Sequence, residues 1–163
     1  PIGNLYLMND AREITKKISG LTISNGIGWS PNNTVMYLTD SAKQVIWEFD
    51  FDQKNLQIGN KRVFIKDTDC YPDGLTIDCD GYIWSAKWDG SAIVKYSPTG
   101  SIKAVYDLPI QRPTSLTFGG KNLDKLYITS ASLGLKNNSG LNGCVFKIST
   151  NSQGKAETIP NIL

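Results

Sequence analysis

Val35-Met36-Tyr37-Leu38-Thr39 returns as Tyr82-Ile83-Trp84-Ser85-Ala86 and again as Lys125-Leu126-Tyr127-Ile128-Thr129, with the central aromatics roughly 45 residues apart. At the same offset Ile46-Trp47-Glu48-Phe49 maps onto Ile93-Val94-Lys95-Tyr96. The third copy resumes at Val145-Phe146-Lys147-Ile148 after a Ser-, Asn- and Gly-rich stretch over 132–142 that reads as a surface loop. Thirteen short runs of this kind, the first at 5–7 and the last at 145–148, are rich in Val, Ile, Tyr, Trp and Thr and are bounded by Gly, Asn, Asp and Pro. No segment sustains a 3.6-residue period, so the chain reads as all-β. A repeat of about 40 to 50 residues holding about four short strands is the signature of a β-propeller blade. Its apolar faces are buried only when blades stack. At that length 163 residues make roughly three and a half blades, short of the at least about four that close a ring, with two apolar blade faces expected to lie open.

Composition narrows the chemistry. Seventeen basic against 15 acidic residues leave a net charge of +2, too weak a field to favour nucleic acid or an anionic membrane. No apolar run approaches the roughly 18 residues of a membrane span. The absence of histidine removes Ser-His-Asp and Cys-His nucleophile systems, histidine general bases and every histidine-containing metal site. Any metal must therefore sit on oxygen. Cys70, Cys79 and Cys144 form no C-x-x-C and read as free, buried thiols, which suggests a reducing, cytoplasmic location, with a Cys70–Cys79 bridge as the alternative. Asn32-Asn33-Thr34 and Asn137-Asn138-Ser139 fit the glycosylation pattern, a match that arises easily by chance in Asn-rich loops. The chain opens on Pro1 rather than Met, which suggests a start inside a longer polypeptide.

Two segments occupy one phase of the repeat just ahead of innermost strands, Ser24-Asn25-Gly26-Ile27 and Pro72-Asp73-Gly74-Leu75. Asn-Gly and Asp-Gly are favoured turn dipeptides, and a turn explains them without function. The third copy, Arg112-Pro113-Thr114-Ser115-Leu116, has no Gly at this phase, so the repeat does not demand Asx-Gly and the oxygen atoms of Asn25 and Asp73 gain weight. On neighbouring blades they would converge at one mouth of the channel as one neutral carbonyl and one carboxylate, donors suited to a hard cation such as calcium, magnesium or manganese. Trp88 begins a loop on the strand-connecting side and is a candidate to line a substrate mouth. Trp29, Trp47 and Trp84 read as blade packing, Asp40-Ser41 as a turn pair, and Asp78 and Asp80 as solvated turn residues.

Ile23-Ser24-Asn25-Gly26, Tyr37-Leu38-Thr39-Asp40-Ser41, Tyr71-Pro72-Asp73-Gly74-Leu75, Asp80-Gly81-Tyr82-Ile83-Trp84, Arg112-Pro113-Thr114-Ser115 and Phe118-Gly119-Gly120 together resemble the senescence-marker-protein/gluconolactonase/luciferin-regenerating-enzyme family, also called regucalcin-like. The resemblance runs in order over nearly the whole chain. It implies a six-bladed propeller with one divalent cation in its channel, calcium or zinc as a rule, and lactone hydrolysis on sugar lactones. It further implies that Asn25 and Asp73 are two of the metal ligands and that Asp73 is also the general base. The family's remaining ligand, a glutamate near its start, and its substrate-contacting arginine, asparagine and acid have no counterpart here. Residues 1–163 thus resemble the C-terminal half of one such domain, and the implied partners are a lactone and the missing N-terminal half or a second chain. By itself the segment is expected to bind metal weakly and catalyse poorly.

The mechanism this implies is metal-assisted attack of water on the lactone carbonyl, with Asp73 accepting the proton. Two alternatives share the residues: hydrolysis of an organophosphate or other phosphotriester in the same channel, and a non-catalytic propeller that binds calcium or a protein partner.

Overall fold

The computed structural model describes residues 1–135 and 140–156. Four antiparallel sheets follow one another along the chain, with no α-helix among the described residues and a 3-10 turn at Ser41–Lys43. A hairpin of β1 (Gly3–Met8) and β2 (Ile14–Leu21) comes first. The first complete blade contains β3 (Ser24–Trp29), β4 (Val35–Asp40), β5 (Val45–Asp52) and β6 (Gln57–Lys66). The second contains β7 (Tyr71–Ile77), β8 (Ile83–Trp88), β9 (Ala92–Tyr96) and β10 (Ile102–Asp107). The third has three strands among the described residues, β11 (Pro113–Gly119), β12 (Lys125–Ser130) and β13 (Val145–Ser149). In each sheet strand neighbours in sequence are neighbours in space, as the repeat predicts for propeller blades.

The core lies between the sheets, and the two-residue pleat sorts side chains to one neighbour or the other. Met36 and Leu38 turn back to meet Leu21 and Phe49 against the first hairpin. Tyr37 and Ile46 turn forward onto Leu75, Ile77 and Ile83 of the second blade. Trp84, Ala86 and Ile93 turn forward again onto Leu116, Phe118, Leu126 and Ile128 of the third. Each large apolar side chain so buried contributes about 1.5–3 kcal/mol. The matched aromatics of the repeat sit at the same structural position: Tyr37 meets Phe64 edge-on, and Trp84 stacks on Tyr106 while meeting Phe118 edge-on.

The innermost strands approach one another through glycine. A Cβ on Gly26 would lie 2.4 Å from the Leu75 nitrogen, and one on Gly74 would lie 2.7 Å from the Ser115 Cα. Neither glycine has a positive φ, and both lie inside strands. Asn25-Gly26 and Asp73-Gly74 are therefore not turns ahead of strands; their glycines let backbone pack on backbone.

The structure also corrects three expectations. Asp78 is fully buried, accepting hydrogen bonds from the Tyr82 N–H and the Trp84 indole and pairing with Lys95 at 3.1 Å; only Asp80 is solvated. The three cysteines are free, but Cys79 and Cys144 are exposed and Cys70 is half-buried. The open faces are not both apolar. Beyond β1 and β2, Tyr6, Met8 and Ile14 are exposed, whereas the open side of the third blade carries Ser115, Thr117, Thr129 and Lys147 beside Tyr127 and Val145. Part of the 132–142 loop, including the Asn137-Asn138-Ser139 triplet, lies outside the described residues.

After β13 the chain turns back over the blades. The Gly154 N–H donates to the Leu123 carbonyl, the Cys79 N–H donates to the Gln153 carbonyl, and Gly154 bridges Asp78. Lys95 donates to Ser152 at 2.6 Å, and Lys155 reaches Asn33 of the first blade at 3.5 Å.

Candidate functional site

Asn25 of β3, Asp73 of β7 and Trp88 at the end of β8 line one open pocket of about 560 Å³, together with Ile23, Ser41 and Tyr71. The register of β3 on β4 shifts between Ser24 and Ile27, and that of β7 on β8 shifts between Pro72 and Leu75. Both irregularities fall on the Asx-Gly pair, where a bulge re-aims a side chain without ending the strand. Pro72 sits in the second of them, at a position where a missing N–H is tolerated.

Ser41, which sequence alone reads as half of a turn pair, sets the orientation of Asn25. Its hydroxyl donates to the Pro72 carbonyl at 2.6 Å, so it receives the Asn25 amide N–H at 2.9 Å as an acceptor. One hydroxyl carries one proton, and this order leaves Asn25 Oδ1 as the uncommitted acceptor. Asp40, also fully buried, accepts the N–H groups of Thr22 and Ile23 at 3.1 Å and pairs with Lys43, anchoring the entry to β3. Burial opposes its charge, yet the Ile23 and Thr22 amides and the Lys43 ammonium hold its carboxyl below the usual range.

Asp73 has the opposite surroundings. It is 9% exposed, and burial pushes its carboxyl up to about 6 against the opposing pull of the Gly74 N–H. The nearby buried Lys87, whose backbone pairs with Pro72, gives its ammonium to Asp67 at 2.6 Å instead. Among the described residues Asp73 has no ion pair. A buried carboxylate without a cation and a fixed amide oxygen in the same pocket fit a hard divalent ion. They make an incomplete set, because no group of three or more Asp, Glu, Cys or His side chains that could hold a metal occurs among the described residues.

Residues 1–132 match the model of the SMP-30/Gluconolactonase/LRE-like region. The chain belongs to this family. A pentonolactonase, XacC, of Haloferax volcanii is 31% identical over 131 residues, covering 79% of this chain and 45% of its own. Among solved structures, a luciferin-regenerating enzyme superposes with a TM-score of 0.89 at 35% identity, covering 96% of this chain and 55% of that one. A calcium-binding regucalcin of Agrobacterium tumefaciens superposes with a TM-score of 0.86 at 26% identity, covering 94% and 54%. The chain thus spans about half the length of the family members it matches, and its four sheets are propeller sheets of the family's fold.

Proposed function

We propose that this chain supplies part of the active site of a divalent-metal-dependent hydrolase acting on sugar lactones, as the C-terminal half of one propeller domain. The observation that carries the reading is the meeting of an uncommitted Asn25 oxygen and an unpaired, buried Asp73 carboxylate in one pocket. A family that takes in gluconolactonases, and a relative named pentonolactonase, support lactone as the substrate class. The name of the calcium-binding relative supports calcium as the ion, with zinc, magnesium and manganese also compatible with oxygen donors.

Asn25 and Asp73 would hold the ion, with a further acidic ligand from outside the described residues. When bound, the cation supplies Lewis acidity at the lactone carbonyl. Asn25, being neutral, holds charge without cancelling it. Asp73 takes a proton from the attacking water as the carbonyl carbon gains its oxygen. The ring C–O bond then breaks, and the alkoxide that leaves takes that proton back from Asp73 to become the hydroxy acid's hydroxyl, which restores the carboxylate.

The test uses the full-length protein carrying this chain and an aldonolactone assayed with and without chelator. Activity should vanish in chelator and return with divalent ion, and Asp73→Ala should lower kcat by about 10²–10⁴-fold without loss of fold. Full activity in chelator overturns the proposal. Metal binding by calorimetry with no turnover of lactone points instead to a non-catalytic calcium-binding propeller, and turnover of a phosphotriester alone to the organophosphate reading.

A further inference from the structure

Trp88 is held at the pocket rim by the next blade. The Arg112 guanidinium, from the residue before β11, lies 4.7 Å from the centre of the indole ring. Its Nε donates to Asp89 Oδ1 at 2.6 Å and its Nη2 to Oδ2 at 3.4 Å, the fork-on-fork geometry only arginine offers. Its Nη1 donates to the Leu133 carbonyl beyond β12. Gln111 adds a hydrogen bond to Asp89 at 2.9 Å. Asp89 itself is in the left-handed region, with φ 60°, a conformation Asp tolerates better than most residues. Arg112, then Gln111 and more weakly Trp88, keep the Asp89 carboxyl below its usual range. Three places therefore converge on the guanidinium that the approach to β11 carries: the end of β8, the loop after it and the stretch past β12.

Its charge is already matched by Asp89, so Arg112 is poorly placed to recruit an anion. What it offers is a fixed ring: one side of the indole contacts the guanidinium, and the indole also lines the pocket beside Asp73. An immobilised aromatic wall suits a ligand with an apolar C–H face and polar rim, the shape of a sugar-lactone ring. We propose that Arg112 is a positioning residue that locks the Trp88 indole as a wall on which the lactone ring stacks. This rests on the lactonase reading above.

In the full-length, metal-loaded protein, Arg112→Ala and Trp88→Ala should each raise KM for an aldonolactone by about tenfold with kcat within about twofold. Arg112→Lys should not restore KM, since an ammonium cannot reproduce the fork. In a Trp88→Ala background, Arg112→Ala should add less than about twofold, because the two act as one unit. With 5-fluorotryptophan, the ¹⁹F resonance lost in Trp88→Phe should shift or broaden in Arg112→Ala while the others hold. Additive effects on KM, an unmoved Trp88 resonance, or a Trp88→Ala variant with unchanged KM overturns the proposal. If the unaltered protein hydrolyses no lactone, it is the lactonase reading that falls, and the ¹⁹F spectrum still decides whether Arg112 positions Trp88.

Discussion

A carboxylate that is nine-tenths buried and has no ammonium or guanidinium beside it is a burden on the folded chain until a cation arrives. Asp73 is such a group, with its carboxyl raised from 3.8 to about 6 by burial. The folded state therefore binds the proton more tightly than the unfolded state. Below about pH 4 both states are protonated and nothing is lost; between 4 and 6 the penalty builds, and above 6 it is complete, about 3 kcal/mol. Asp73→Asn in the metal-free protein should accordingly raise Tm at pH 7.5 in chelator, with the gain disappearing near pH 4. A Tm unchanged at both pH values would show that the carboxylate is not desolvated. That Asn25 and Asp73 face one pocket was legible in the sequence because the same oxygen-bearing type recurs one repeat apart where the third copy has none. The part played by Ser41 was not. Its partners, Asn25 and the Pro72 carbonyl, are distant in sequence, and Asp40-Ser41 at a strand end carries the same pattern whether it caps a turn or orients a side chain of another strand.

At the scale of strands and sheets, all thirteen predicted strands are present, because alternation and turn residues are local signals. Their ends were less legible. The inner strand expected to follow the Asp73-Gly74 turn dipeptide begins instead at Tyr71, since Asp73-Gly74 is absorbed by a bulge. The role of the glycines was hidden for a related reason: close approach to a neighbouring sheet leaves no mark in the local sequence. Gly74→Ala tests it, since the new Cβ would sit 2.5 Å from Ser115 Oγ and 2.7 Å from the Ser115 Cα. Urea unfolding should show a loss of about 1–3 kcal/mol, and, on the proposed function, lactone turnover by the full-length protein should fall with it as Asp73 moves. An unchanged midpoint would mean that the inner strands separate freely. Asp78 was misread as solvated because Lys95 and the Gly154 bridge that bury it come from later strands and from the returning tail.

For the molecule as a whole, the three cores sit between sheets rather than within them, so the placement of each pocket side chain depends on the sheet beside its own. Two pocket donors without a further acidic ligand should bind divalent ions feebly. On the proposed function, calorimetry on the isolated 163-residue segment should give at least about a hundredfold weaker calcium binding than the full-length protein, with lactone turnover near background. Equal affinity in both would mean that the described residues complete the site unaided. The returning tail bears on how such a molecule comes apart. Stacked repeats ordinarily interact with immediate neighbours alone and can melt one at a time from an end. Here Gln153 and Gly154 tie the third blade to the second, and Lys155 reaches the first. Fraying of the last repeat must release a belt that also crosses the others, so hydrogen exchange should find their protection rising and falling together rather than in sequence.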